Sequence, residues 1–281
     1  MPSDQMFAHF IDDAAIFPPG LAPLDEAVAG HLKVRTLPAD KAIGSFVLTA
    51  DKLAEASALA GDQRIEFSAV VASAEIAEVD SAELGPNASI AAVELRVDES
   101  DPQASITAAA AHVKEHPQRA VWLELPHALV TVDNLTEMRN AGVGLKFRTG
   151  GVRKELYPSA EQLLDVLERA VQTQIPFKLT AGLHRAMRYS ETVGGEVHDH
   201  FGFLNIAAAV VELKSGAGRS AAAEILESDD PQAVAATALR DPSWRENFSS
   251  FGSCSFGVGL GTLNELDLVS DTIIDGLNTS D

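Results

Sequence analysis

Short apolar runs recur along this chain at roughly thirty-residue intervals, and a helical pattern fills most of the intervals between them. That alternation calls for a parallel sheet, because parallel neighbours can be joined only by a crossover long enough to hold a helix. The runs begin at Phe7 (A-H-F-I-D-D) and continue at residues 44–50, 65–72, 90–97 and 120–126. The last three are V-G-L-K-F-R from Val143, P-F-K-L-T from Pro176, and residues 248–256. Eight such units with no Pro/Ser-rich linker predict one closed (β/α)8 TIM barrel over residues 1–281, since barrels of about 250 residues routinely form a single domain. No G-x-G-x-x-G follows the first strand, which weakens a dinucleotide-binding alternative.

The connecting segments carry their own signals. Asp51 is a plausible N-cap for a helix over 51–60, and Asp101 with Pro102 opens a helix that runs to about Glu115. Residues 131–140 and 159–172 read as helices, the second with Leu163, Leu167, Ala170 and Val171 on one stripe. Beyond the seventh strand the pattern loosens. Residues 185–200 read as a long loop, 201–213 and 219–240 as extra helices, 257–261 as a glycine-rich loop and 263–277 as the final helix.

Strands covered by helices should be near-continuous apolar runs. Strands four to seven depart from this at Glu94 and Arg96, Glu124, Lys146 and Arg148, and Lys178 and Thr180. Within each strand these residues share parity, so one face is polar, and in a barrel that face must be the interior. Burying an ammonium costs several kcal/mol unless it is paired or neutralised. A structural layer of ion pairs is one outcome. The functional one is favoured because active sites of this fold gather at the C-terminal strand ends, and these residues lie in the later halves of their strands. A free lysine, with a pKa near 10.4, is an amine in fewer than about one in a thousand copies at neutral pH. A second ammonium and desolvation lower that value, and the amine then forms a Schiff base with a carbonyl, an electron sink for C–C bond chemistry. Lys146 is the expected nucleophile and Lys178 its tuner, with Glu94 or Glu124 moving protons.

K-F-R-T-G-G from Lys146, a helix, and K-L-T-A-G from Lys178 together resemble the paired K-x-x-T-G and K-x-x-G-G strands of the deoxyribose-phosphate aldolase type of class I aldolase. The match covers about 40 residues. The resemblance implies a barrel in which the first lysine forms the Schiff base and the second tunes it, on strands six and seven. Where that family carries an aspartate on strand four this chain has Glu94 and Arg96, and Arg148 adds a charge beside the nucleophile.

Gly257 and Gly259, ahead of the final helix, are candidates to let backbone N–H groups approach a phosphate or carboxylate. Arg96, Arg148, Thr180, His184 and Arg185 would contact the same anion. No cofactor is needed for lysine chemistry. A rival enzyme would hold a divalent metal at His184, His198 and His200, completed by Glu94, Glu124 or Asp12, for isomerisation or hydrolysis. A third alternative is a non-catalytic barrel that binds a small ligand. Asp12 and Asp13 are either polar loop residues or ligands of a substrate hydroxyl. A net charge of −20 argues against nucleic-acid or anionic-membrane partners, leaving a small anionic substrate and an open question of homo-oligomerisation. A single cysteine, Cys254, with no basic amino-terminal leader and no apolar stretch near 18 residues, points to a cytoplasmic protein.

Overall fold

A computed structural model of the chain describes residues 4–193 and 196–279. The barrel strands are β1 (Ile11–Asp13), β2 (Ile43–Thr49), β3 (Ile65–Ala72), β4 (Ala88–Arg96), β5 (Ala120–Glu124), β6 (Gly144–Arg148) and β7 (Phe177–Thr180). A hairpin of β8 (Tyr189–Val193) and β9 (Glu196–His200) precedes the last barrel strand, β10 (Phe248–Ser253). All eight barrel strands are parallel and close in the order β1-β10-β7-β6-β5-β4-β3-β2. This is the (β/α)8 barrel expected from the strand–helix period.

Helices follow the strands as α1 (Leu24–Val34), α2 (Leu53–Ala60), α3 (Ala77–Ser81), α4 (Pro102–Glu115), α5 (Val132–Asn140) and α6 (Ala160–Thr173). Three more, α7 (Phe203–Ser215), α8 (Arg219–Leu226) and α9 (Pro231–Arg240), fill the long interval before β10. The chain ends with α10 (Phe256–Asn264) and α11 (Asp271–Ile274). No helix of the described residues is long and apolar enough to cross a membrane.

Several boundaries follow local chemistry. Asp101 caps α4 by accepting from the Ala104 N–H, and Pro102 occupies the first helical position. Ser159 and Gln162 form a reciprocal capping box at α6, whose Leu163, Leu167 and Ala170 are buried. Asp51 does not cap α2; a short 3-10 turn over Ala50–Lys52 leads into it instead. Every residue of α7 from Phe203 to Val211 is buried, because α6, α8 and α9 all pack on it. A helix apolar all round requires such cover, and the two extra helices supply it.

Two expectations fail beyond the seventh strand. Residues 185–200 are no plain loop, since they contain the β8–β9 hairpin. Residues 257–261 are not a loop either: α10 begins at Phe256 and runs through all three glycines. The predicted final helix over 263–277 is correspondingly split between the end of α10 and α11.

The N-terminal end of the barrel is plugged by aromatic rings. Phe10 packs edge-on against Phe248, Phe251 and Trp244 at centroid distances of 4.9–5.3 Å. Arg245 lies over the Phe10 ring and donates to the carbonyls of Ala8 and Phe248. The opposite, C-terminal mouth is where polar side chains collect.

Candidate functional site

The inward face of each strand follows from register. Trp122 pairs with Gly144 and Glu124 with Lys146 across β5 and β6, while Lys146 pairs with Lys178 across β6 and β7. Trp122 occupies the space beside Gly144, where a Cβ would collide with its ring. Directly above that layer the interior turns ionic. Glu94, Lys146 and Lys178 are all buried.

The pairs alternate in sign around half the barrel. Lys178 Nζ donates to Asp12 Oδ2 at 2.9 Å and also to Glu94 Oε1. Lys146 Nζ lies 2.8 Å from Glu94 Oε2 and 2.9 Å from Glu124 Oε2, and Arg148 Nε donates to Glu124 Oε1 at 3.1 Å. Hydroxyls and backbone complete the layer: Ser68 donates to Glu94 at 2.6 Å, and Ser250 and the Ser45 N–H donate to Asp12 at 2.7 and 3.0 Å. Gly44 makes the last contact available, since a Cβ there would collide with Asp12 Oδ1.

This geometry decides the protonation states. Burial pushes the Glu94 carboxyl up, but the adjacent Lys146 and Lys178 outweigh it and hold the group well below the usual carboxylate range. Glu124 is lowered in the same way by Lys146 and Arg148, against its own desolvation. Burial pulls Lys146 down, yet Glu94 and Glu124 raise it above an ordinary lysine. Burial opposes Lys178 in the same way, and Asp12 and Glu94 raise it. The expectation that one ammonium depresses the other is therefore overturned. Glu94 stands between them and screens each from its twin.

Glu94, Arg96, Glu124, Lys146, Arg148, Lys178 and Thr180 all line one cavity of about 270 Å³ at the C-terminal mouth, together with His184 and Cys254. An adjoining groove of about 410 Å³ shares Arg96, Glu124 and Arg148 and extends past Pro126 and Phe147. Arg96 is exposed and has no ion-pair partner among the described residues. Burial raises the Cys254 thiol, whose Sγ lies 3.9 Å from His184 Nδ1.

The turns that end β6 and β7 touch. Ala181 and Gly182 have φ of 60° and 79°, and a Cβ on Gly150 would meet the Gly182 Cα at 2.9 Å. The Thr-Gly and Ala-Gly signals thus reflect two backbones in close approach, which brings Lys146 and Lys178 onto adjacent inward positions.

No family model matches this chain. No curated protein matches it either. Among solved structures, one similar chain is a mandelate oxidase variant described with benzoyl-formic acid, at 13% identity and a TM-score of 0.35, over 89% of this chain and 81% of that one. Likeness at that level bears on neither activity nor ligand; the barrel itself rests on the strand pairing.

Several predicted contacts fall elsewhere. Arg185 is absent from the cavity lining, and its guanidinium lies 4.8 Å from the centroid of the Tyr189 ring on the hairpin. Gly257 and Gly259 do not open an anion-binding loop. A Cβ on Gly257 would strike the Asn278 carbonyl, and one on Gly259 would crowd Ile11 at 3.2 Å, so these glycines admit close packing. The rival metal set does not assemble among the described residues. His200 Nδ1 meets the Gly182 carbonyl at 3.0 Å and its Nε2 lies 2.9 Å from Glu191 Oε1 without a well-aligned hydrogen bond, while His198 packs on Tyr157.

The residues missed at the sequence level are Asp12, as a partner of Lys178, and the hydroxyls of Ser68 and Ser250. Asp13 faces away and pairs with His31 at 3.0 Å. The partial signal was that neighbouring strand residues point to opposite faces, so at most one of Asp12 and Asp13 can join the lysines.

Proposed function

We propose that this protein is a Schiff-base lyase or aldolase acting on a small anionic carbonyl compound. The observation that carries the proposal is the pair of lysines sharing Glu94 inside a cavity at the C-terminal mouth. Lys146 is the nucleophile. Its second partner, Glu124, keeps some solvent exposure, and Glu124 Oε2 lies close to Nζ without a well-aligned hydrogen bond. Glu94, locked between two cations and Ser68, is a poor base and serves as a fixed anion that orients both amines. Lys178 remains an ammonium.

In the resting site both lysines are protonated, so a proton must leave before attack. Free lysine and glutamate differ by about 6 pKa units, so passing the proton from Lys146 to Glu124 in water would cost about 8 kcal/mol, and the raised Lys146 and lowered Glu124 of the resting site widen that gap. Two features of binding reduce that cost. A substrate that fills the cavity expels water and disfavours the charged pair relative to the neutral one. An anionic substrate group also competes with Glu124 for Arg148, which frees the carboxylate to accept the proton. The amine of Lys146 then adds to the carbonyl carbon, protonated Glu124 returns its proton to the carbonyl oxygen, and loss of water leaves an iminium. Retro-aldol cleavage follows as the β-hydroxyl gives up its proton to Glu124 and the C–C electrons move toward the iminium nitrogen. Arg96 and Arg148 hold the anionic group.

The double pairing of each ammonium also favours a second function, a non-catalytic barrel that binds a small anion above a structural ionic layer. Trapping separates the two. Phosphorylated and carboxylated aldehydes and ketones are incubated with the protein and cyanoborohydride, and adducts are mapped by intact mass and peptide sequencing. The expected result is a single adduct at Lys146, absent in Lys146→Met and diminished in Glu124→Gln. Ligand-induced thermal shifts with no lysine adduct anywhere in the panel would replace the lyase with the binding barrel.

A further inference from the structure

Two imidazoles and a carboxylate converge on the outer wall of the barrel, at the end opposite the mouth. His112 lies in the last turn of α4 and His116 is its C-cap, four residues on, so both stand on one face of the helix. Asp80, on α3, approaches them from the neighbouring unit. His116 Nε2 is 3.2 Å and His112 Nδ1 3.8 Å from the same atom, Asp80 Oδ2. One ligand atom from each of the three residues lies within 4.8 Å of the other two.

Hydrogen bonding explains only part of this convergence. The His116–Asp80 contact is one hydrogen bond, but 3.8 Å is too long for a second. Nδ1 of the buried His112 ring faces Asp80 Oδ2 at that distance, while its Nε2 lies 3.5 Å from Arg119. Ligands at about 2.0–2.2 Å from a tetrahedral ion stand about 3.4 Å apart, so small rotations of the partly exposed Asp80 and His116 side chains close the set. Asp80 is also held in a suitable orientation. Arg119 donates to Oδ1 and leaves Oδ2 to face the imidazoles, the way an outer residue orients a ligating carboxylate.

We propose that Asp80, His112 and His116 form a binding site for a divalent transition-metal ion of the Zn²⁺ type, with solvent in the remaining position. Two imidazoles and one carboxylate suit Zn²⁺ better than the oxygen-seeking Ca²⁺ or Mg²⁺. The C-terminal end of α4 adds a favourable dipole, and the acidic surface of the whole chain attracts cations. Arg119 opposes the charge of the ion but need not leave. Metal on Nδ1 of His112 puts that ring's proton on Nε2, so the 3.5 Å contact of Nε2 with Arg119 opens while the bond from Arg119 to Asp80 stays. The ion would tie α3 to α4 and to the turn entering β5, at the face where residues of this fold serve stability. The site is independent of the lysine cavity.

Titration of EDTA-treated protein with Zn²⁺ by calorimetry, and with Co²⁺ by visible absorption, tests the site. The expected result is one equivalent bound, a tetrahedral Co²⁺ spectrum, and a melting temperature that climbs with free Zn²⁺ as mass action requires. His116→Gln and Asp80→Asn, both at solvent-accessible positions, should weaken Zn²⁺ by more than the ~10–100-fold typical of an outer-shell change. His200→Gln should retain the full equivalent. Failure of the wild-type protein to bind Zn²⁺ stoichiometrically at micromolar concentration overturns the proposal, whatever the variants do. So does a wild-type affinity that survives in both His116→Gln and Asp80→Asn.

Discussion

Replacing Glu94 by glutamine would keep its shape and remove its charge, leaving Lys146 with Glu124 alone and Lys178 with Asp12 alone. Both ammonium groups would still be buried, and breaking a buried pair by deleting one partner typically costs about 3–5 kcal/mol. Glu94→Gln is therefore expected to lower the unfolding free energy by that amount, read as a lower urea midpoint with an unchanged slope. The same residues set the pH window. Glu94 and Glu124 have folded pKa values below the unfolded ones, so their contribution is present above about pH 4.3 and is lost as pH falls through the lowered values. Lys146 and Lys178 are raised, so theirs is complete below about pH 10.4 and is lost as pH climbs through the raised values. Denaturant midpoints measured from about pH 3 to about pH 11 should show a plateau with a falling limb on each side, and Glu94→Gln should have the shallower acid limb. At this scale parity revealed which side chains point inward. It could not reveal that carboxylates outnumber the amines as near neighbours, because Asp12 sits on a three-residue strand too short to show alternation.

Among elements, α10 carries the sharpest disagreement between local preference and observed structure. Each glycine costs a helix interior about 1 kcal/mol relative to alanine, so Gly257, Gly259 and Gly261 read as a loop. Tertiary packing overrides that preference, because Asn278 and Thr279 lie against the helix where side chains would otherwise stand. Gly257→Ala should consequently destabilise the protein by about 1–3 kcal/mol through overpacking, with faster hydrogen exchange at residues 277–279. Its affinity for inorganic phosphate should not change, and a selective loss of phosphate binding would restore the anion-loop assignment. The hairpin was legible in principle. T-V-G-G-E-V has two glycines between alternating segments, a recognised hairpin signal, but it falls within a stretch whose charged and aromatic residues resemble a surface loop. By contrast α4 and α6, with Asp101 and Ser159 as caps, announce both their starts and their faces.

Across the whole molecule, charge is distributed in two ways. The surface carries most of a net −20, while the chain of pairs from Asp12 to Arg148 is balanced and shielded. Raising ionic strength from about 0.01 M to about 0.15 M shortens the Debye length from about 30 Å to about 8 Å. Surface repulsion should fade while the interior pairs are hardly touched. The melting temperature should accordingly rise with NaCl over that range; a fall would mean that screened attractive pairs dominate instead. The thirty-residue period called for a parallel sheet and the count of eight units for its closure, whereas the arrangement of the site depended on side chains far apart in sequence. Lys178 meets Asp12 across 166 positions and Glu94 across 84. Those separations bear on how the chain assembles. Asp12, Glu94 and Glu124 all precede residue 125, and Lys146, Arg148 and Lys178 all follow residue 145. A nascent amino-terminal half would thus expose uncompensated acids, which water solvates readily, and only the carboxyl-terminal half brings the bases that let them be enclosed. The ionic layer works as a latch between two halves that are each incomplete until the other arrives.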